Sequence, residues 1–212
     1  MAKISNLFPR FVLDFQIGSF LKNERLFAFL LVLFLGSGIF LGGCHKEILQ
    51  PEDGMPYFFQ TDEQYKNIWY GDGFLRDTGC GPTSLAMALS FVTSQSISPV
   101  EVAQYAQENG YYVDGVGTAW ALFEDYPALY GINVWQCVLD ESLIAQQLAQ
   151  NNVLILSMGP GDFTTSGHIL VIKNLVNTNQ THVHDPYSPN KSKIWNLSRL
   201  LSQAKASFVL TP

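Results

Sequence analysis

Apolar and polar residues alternate along this chain in three distinct regimes. Residues 1–25 interleave apolar side chains with Lys3, Arg10, Lys22 and Arg25 against Asp14 and Glu24. Leu26 to Cys44 then reads LFAFLLVLFLGSGIFLGGC, with no charge and no polar face. As a helix that run extends about 28 Å, enough for the hydrocarbon core of a bilayer, and it does not read as a helix half-buried in a soluble core. Residues 45–56, HKEILQPEDGMP, are polar, hold two prolines and predict a linker. The aromatic, glycine-punctuated stretch YFFQTDEQYKNIWYGDGF keeps no period and predicts an extended segment and loop.

From Cys80 the spacing turns helical, with Leu85, Ala88, Leu89 and Val92 on one face and an end near Ser94. A second helix is signed by Ser98 as cap, Pro99 at the first helical position and Glu101 completing a capping box. Val102, Tyr105 and Ala106 supply its face, and Asn109-Gly110 stops it. After the glycine loop YYVDGVGT, Thr118 is expected to cap a helix in AWALFEDY. INVWQCVL predicts a strand, Asp140 caps ESLIAQQLAQ, and VLILSM (153–158) is a buried strand by its unbroken apolar run. HILVIKNLV and THVHD predict two strands around the turn NTNQ, followed by a helix near 196–206 and the strand SFVL (207–210). Helices precede strands, which predicts an α+β domain over 57–212 with its N-terminal helices packed on a mostly antiparallel sheet. No internal repeat is visible.

The 212 residues suffice for one ordinary domain plus an extension, and 47% hydrophobic content suffices for a full core. Setting aside the four basic and two acidic residues of 1–44 leaves eight Lys or Arg against sixteen Asp or Glu, a charge near −8 with no basic run. Nucleic acid is therefore not an expected partner. The end of the apolar segment, LGGC, resembles a bacterial lipoprotein cleavage box, which would place a lipid on Cys44. The other reading of 1–44 is an uncleaved single-pass anchor. Both put the positive end inside and the domain on the extracytoplasmic face of a bacterial membrane. Of three cysteines, Cys80 and Cys137 remain outside that segment, too few for a disulfide framework.

The candidate chemistry starts at DTGCGPTSLAM (77–87). A thiol attacks as thiolate, and the free amides and partial positive charge of a helix N-terminus favour the anion. Cys80 opens a helix, and Gly79 and Gly81 are expected to keep its backbone open to a substrate. A cationic partner is needed as well. His45 lies in the linker, and His182 and His184 share one strand face opposite Val183. His168 begins an apolar strand after Gly167, where it can face a cleft. Orienting its imidazole suits a carboxylate, and Asp185 ends the next strand before Pro186, although a simple hairpin register does not set it opposite His168. A rival use of these residues is a metal site built from His182, His184 and Asp185. Cys137, inside VWQCV, reads as a buried structural thiol, with both cysteines free.

TGCGPTSLAMALSFVT, SPVEVAQYAQENGYYVDGVGTAWALF, YGINV, SGHILVIKN and VHDPYSPNKSKIW together resemble the exported relatives of cysteine peptidase family 39, over about residues 56 to 210. The resemblance implies a papain-like fold, with Cys80 as nucleophile, His168 as general base and Asp185 as its orienting group. It also implies a glutamine upstream of the cysteine as an oxyanion-hole donor, for which Gln60 is the candidate and Gln64 the fallback. The implied reaction is hydrolysis of a peptide or protein substrate through an acyl-enzyme, without metal or cofactor. The loop 114–117 and Trp69, Tyr70 and Trp120 are candidates to line the cleft. A non-catalytic cell-surface binding module of the same fold and a cysteine amidase acting on cell-wall peptides are the alternatives.

Overall fold

A computed structural model describes residues 53–212; the segment 1–44 and most of the stretch 45–56 lie outside the described residues. Two short strands, β1 (Trp69–Tyr70) and β2 (Gly73–Phe74), form a hairpin that leads into the single-turn helix α1 (Leu75–Thr78). Two longer helices follow, α2 (Cys80–Thr93) and α3 (Pro99–Glu108), then a hairpin of β3 (Tyr112–Val113) and β4 (Gly117–Thr118) and the helix α4 (Leu122–Ala128). The rest of the chain builds the main sheet: β5 (Val134–Cys137), α5 (Glu141–Ala149), β6 (Val153–Met158), β7 (His168–Asn177), β8 (Gln180–His184), β9 (Ile194–Asn196), α6 (Leu197–Leu201) and β10 (Ala204–Leu210).

Six strands pair antiparallel in the order β5-β10-β6-β7-β8-β9. β6 sits in the middle, and its six side chains are all buried, because both of its faces are covered. Val153 and Ile155 join Leu85, Leu89 and Phe208 in a core that also holds residues of α2, α3 and α4. Leu154, Leu156 and Met158 turn the other way, onto Ile144 and Leu148 of α5 and Leu197 and Leu200 of α6. An unbroken apolar run is what such a strand requires, since neither face can be polar. The expected α+β architecture, helices before strands on an antiparallel sheet, is the architecture observed.

The helix starts follow their sequence signals. Ser98 Oγ accepts from Glu101 N at 3.2 Å while Glu101 Oε2 accepts from Ser98 N at 2.7 Å, a complete capping box. Asp140 Oδ1 accepts from Leu143 N at 3.0 Å at the head of α5. Thr118 behaves otherwise. It lies in β4, its hydroxyl is hydrogen-bonded to Tyr70 at 2.8 Å, and α4 begins at Leu122 with no side-chain cap. The last helix is also shorter than expected. Asn196 caps it through Arg199 N at 3.0 Å, but from Ala204 the backbone pairs with β6, where the sheet outcompetes continuation of the helix. The core reaches back to Met55, which is fully buried.

Candidate active site

Cys80 is the first residue of α2, where the leading amides of a helix have no intrahelical acceptor. One turn further on, Ser84 Oγ donates to the Ile169 carbonyl at 3.1 Å, which ties the start of α2 to the start of β7. The glycines beside the thiol make room for neighbouring parts of the chain. A Cβ on Gly81 would stand 2.3 Å from Thr118 Oγ1, and one on Gly79 would stand 2.4 Å from the Leu75 carbonyl oxygen. Both are glycine because neighbouring chain comes too close for any side chain.

His168 is the first residue of β7, paired with Met158. Its Nε2 lies 2.8 Å from Asp185 Oδ1, and the two side chains are 10% and 1% exposed. The last registered β7–β8 pair is Val171 with His184. One step beyond it Asp185 falls beside Leu170, on the diagonal to His168, within reach of a long side chain. With Nε2 taken by Asp185, Nδ1 is the nitrogen left for the Cys80 thiol, whose sulfur is near enough to act on the ring's charge. Burial alone would push the His168 pKa down. The Asp185 carboxylate and the Cys80 sulfur outweigh burial and hold it up at about 9.

Asp185 is fixed in turn. Its Oδ1 also accepts from the backbone N–H groups of Tyr187 at 2.8 Å and Ser188 at 3.2 Å, and its own N–H donates to Ser192 Oγ at 2.9 Å. Gln60 is 2% exposed and bridges the two sides of the site. Its backbone N–H donates to the Pro186 carbonyl at 2.8 Å, and its Nε2 donates to the carbonyls of Arg76 at 2.9 Å and Leu75 at 3.3 Å, just before Cys80. Its Oε1 is buried without a partner. Gln64 sits exposed in the turn that follows, away from this brace.

Of the residues expected to line a cleft, Trp120 is partly exposed and donates from Nε1 to Ser157 Oγ at 3.2 Å, beside the strand pair that ends at His168. Trp69 is largely exposed, whereas Tyr70 is fully buried and belongs to the core. Gly115 and Gly117 of the 114–117 loop shape the β3–β4 turn with positive φ and have nothing packed on them. The His182-His184-Asp185 cluster is split. Both histidines turn to Asp53 while Asp185 turns to His168, and among the described residues no group of three or more His, Cys, Asp or Glu is arranged to hold a metal ion. Cys137 is a free thiol at the end of the edge strand β5, half-buried and not enclosed as expected, and partial burial raises its pKa.

Residues 52–208 match the Peptidase_C39 like family. The chain belongs to that family. Among solved structures, this Peptidase_C39-like chain is similar to the peptidase domain of Streptococcus ComA, a bi-functional ABC transporter involved in a quorum sensing pathway, at 18% identity and a TM-score of 0.52, over 64% of this chain and 93% of that one. It is also similar to a C39-like peptidase from Bacillus anthracis, at 11% identity and a TM-score of 0.50, over 76% of this chain and 96% of that one. No curated protein matches. At these identities the likeness shows a shared fold, the papain-like α+β arrangement, and family and fold together support a cysteine-peptidase-like function.

Sequence reasoning missed the supports of this site: Tyr57, whose hydroxyl donates to the Asp185 carbonyl at 3.0 Å, and Ser84 and Ser192. No local signal marks them, because their partners are set by tertiary packing.

Proposed function

We propose that the protein is a membrane-anchored, extracytoplasmic cysteine peptidase that hydrolyses amide bonds through Cys80, His168 and Asp185. The observation that carries this reading is the chain of contacts from the half-buried thiol at a helix N-terminus, through one imidazole, to a nearly buried carboxylate at 2.8 Å. Asp185 holds the ring so that Nδ1 addresses the sulfur, and its charge stabilises the imidazolium that forms when the thiol gives up its proton. The thiolate attacks the scissile carbonyl carbon. The imidazolium then protonates the departing amine, and the neutral ring takes a proton from the water that releases the acyl group from Sγ.

The backbone N–H of Cys80 is one donor for the oxyanion. Gln60 Nε2 is the second, and for this it exchanges one of its carbonyl acceptors for the substrate oxygen. Export rests on the apolar run 26–44 and its LGGC end, as a lipid on Cys44 or as a spanning segment.

Incubation of the purified full chain with a peptide library and, separately, with cell-wall fragments tests the reading. Release of peptides that disappears in Cys80→Ser supports it. Release from wall fragments alone assigns the same chemistry to an amidase. Retention of a peptide without turnover by wild type and variant alike would overturn it in favour of a binding module.

A further inference from the structure

Three consecutive residues at the end of β8 are each tied to a different residue of the strap that opens the described chain, residues 53–60. His184 Nε2 and Asp53 Oδ2 are 2.8 Å apart, the Tyr57 hydroxyl donates to the Asp185 carbonyl at 3.0 Å, and Gln60 N donates to the Pro186 carbonyl at 2.8 Å. These contacts are buried. The Asp53 and His184 side chains are 1% and 3% exposed, and the Tyr57 ring packs edge-on against Phe59 at 4.4 Å and His184 at 5.8 Å. Asp53 also faces His182 Nδ1 at 3.8 Å, and its backbone carbonyl accepts from the Lys173 ammonium at 3.4 Å. That ammonium is itself held by the side-chain oxygens of Asn174 and Asn151.

The turn carrying Asp185 shapes itself through bonds among residues 185–192. Those bonds do not set where the turn sits relative to His168. Pairing of β8 with β7 ends at His184, one residue too early. Lys191 ties the far side of the turn to the Phe163 carbonyl at 3.2 Å, and the strap holds the Asp185-Pro186 side itself.

We propose that Tyr57 is a positioning residue for the reaction, holding with Asp53 the Asp185-Pro186 turn at the distance from His168 that the imidazole needs. The inference rests on the peptidase reading of the site. Tyr57→Phe removes only the hydroxyl and leaves the packed ring, so that the Asp185 carbonyl keeps Ser192 Oγ at 3.4 Å as its donor. His168 faces Asp185 and Cys80, and a turn that drifts weakens the first of these contacts.

The test uses the full chain in detergent, with iodoacetamide alkylation of Cys80 read by mass spectrometry, titration of the His168 ring by NMR, and thermal melting. In Tyr57→Phe the His168 midpoint is expected to fall by about one pH unit, a tenfold change in the ratio of charged to neutral ring, with slower alkylation of Cys80 and little change in Cys137 or melting. Asp53→Asn keeps an acceptor for His184 and should stay close to wild type, while Asp53→Ala should follow Tyr57→Phe. A wild-type His168 midpoint in Tyr57→Phe overturns the proposal, and so does a lowered melting temperature with that midpoint unmoved. If wild-type Cys80 reacts no faster than Cys137 and His168→Ala changes nothing, the peptidase reading itself has failed, independently of Tyr57.

Discussion

At His168 two neighbours act together against burial. The Asp185 carboxylate and the Cys80 sulfur favour the charged ring strongly enough to raise its pKa from the ordinary histidine value to about 9. A raised histidine stabilises the fold fully below its ordinary pKa and loses that contribution as pH climbs through the folded value. The loss is on the order of 3 kcal/mol for a rise of this size. Melting temperature should therefore fall as pH is raised from neutral through the alkaline range, and His168→Ala should flatten that fall; an equal fall in both would contradict the assignment. Cys80, His168 and Asp185 were readable in the sequence as candidates because each stands beside a glycine or proline at one end of a patterned element, and the fold brings His168 and Asp185 to 2.8 Å. Tyr57 was not, since its partner Asp185 lies 128 residues away and nothing in YFFQTD announces it.

Elements show where local signals hold and where they yield. The capping box of α3 and the aspartate cap of α5 were legible because donor and acceptor are three residues apart. Thr118 carried the same kind of signal ahead of AWALFEDY, yet its hydroxyl is taken by Tyr70, 48 residues earlier in the chain. The same contact explains Gly81, whose missing Cβ makes room for Thr118. Gly81→Ala should therefore cost about 1–3 kcal/mol in denaturant unfolding, the usual range for overpacking. Gly167→Ala, where an added Cβ meets nothing within 4 Å, should not show that cost. Equal losses at the two positions would mean that steric room is not why Gly81 is glycine. Gln60 belongs to this scale as well, as a brace between the pre-helix turn and Pro186. Gln60→Ala is expected to lower turnover by about 10²–10³-fold if Nε2 serves the oxyanion, and an unchanged rate would leave it a brace alone.

Across the described residues, a central strand covered on both faces separates two apolar cores, and the thiol and the imidazole come from elements packed on each other at one end of the sheet. The α+β class was legible from helices preceding strands and from the unbroken run VLILSM. The edge strand β9 and the two small hairpins were not, because strands of two or three residues carry no period to read. The architecture makes one central claim, that the thiol at the head of α2 works with the imidazole at the head of β7. Alkylation of the full chain with iodoacetamide at neutral pH, followed at Cys80 and Cys137 separately, tests it most directly. Cys80 is expected to react markedly faster than Cys137, whose thiol pKa is raised by partial burial, and His168→Ala to remove the difference. Equal, slow labelling of the two cysteines, indifferent to His168, would contradict it.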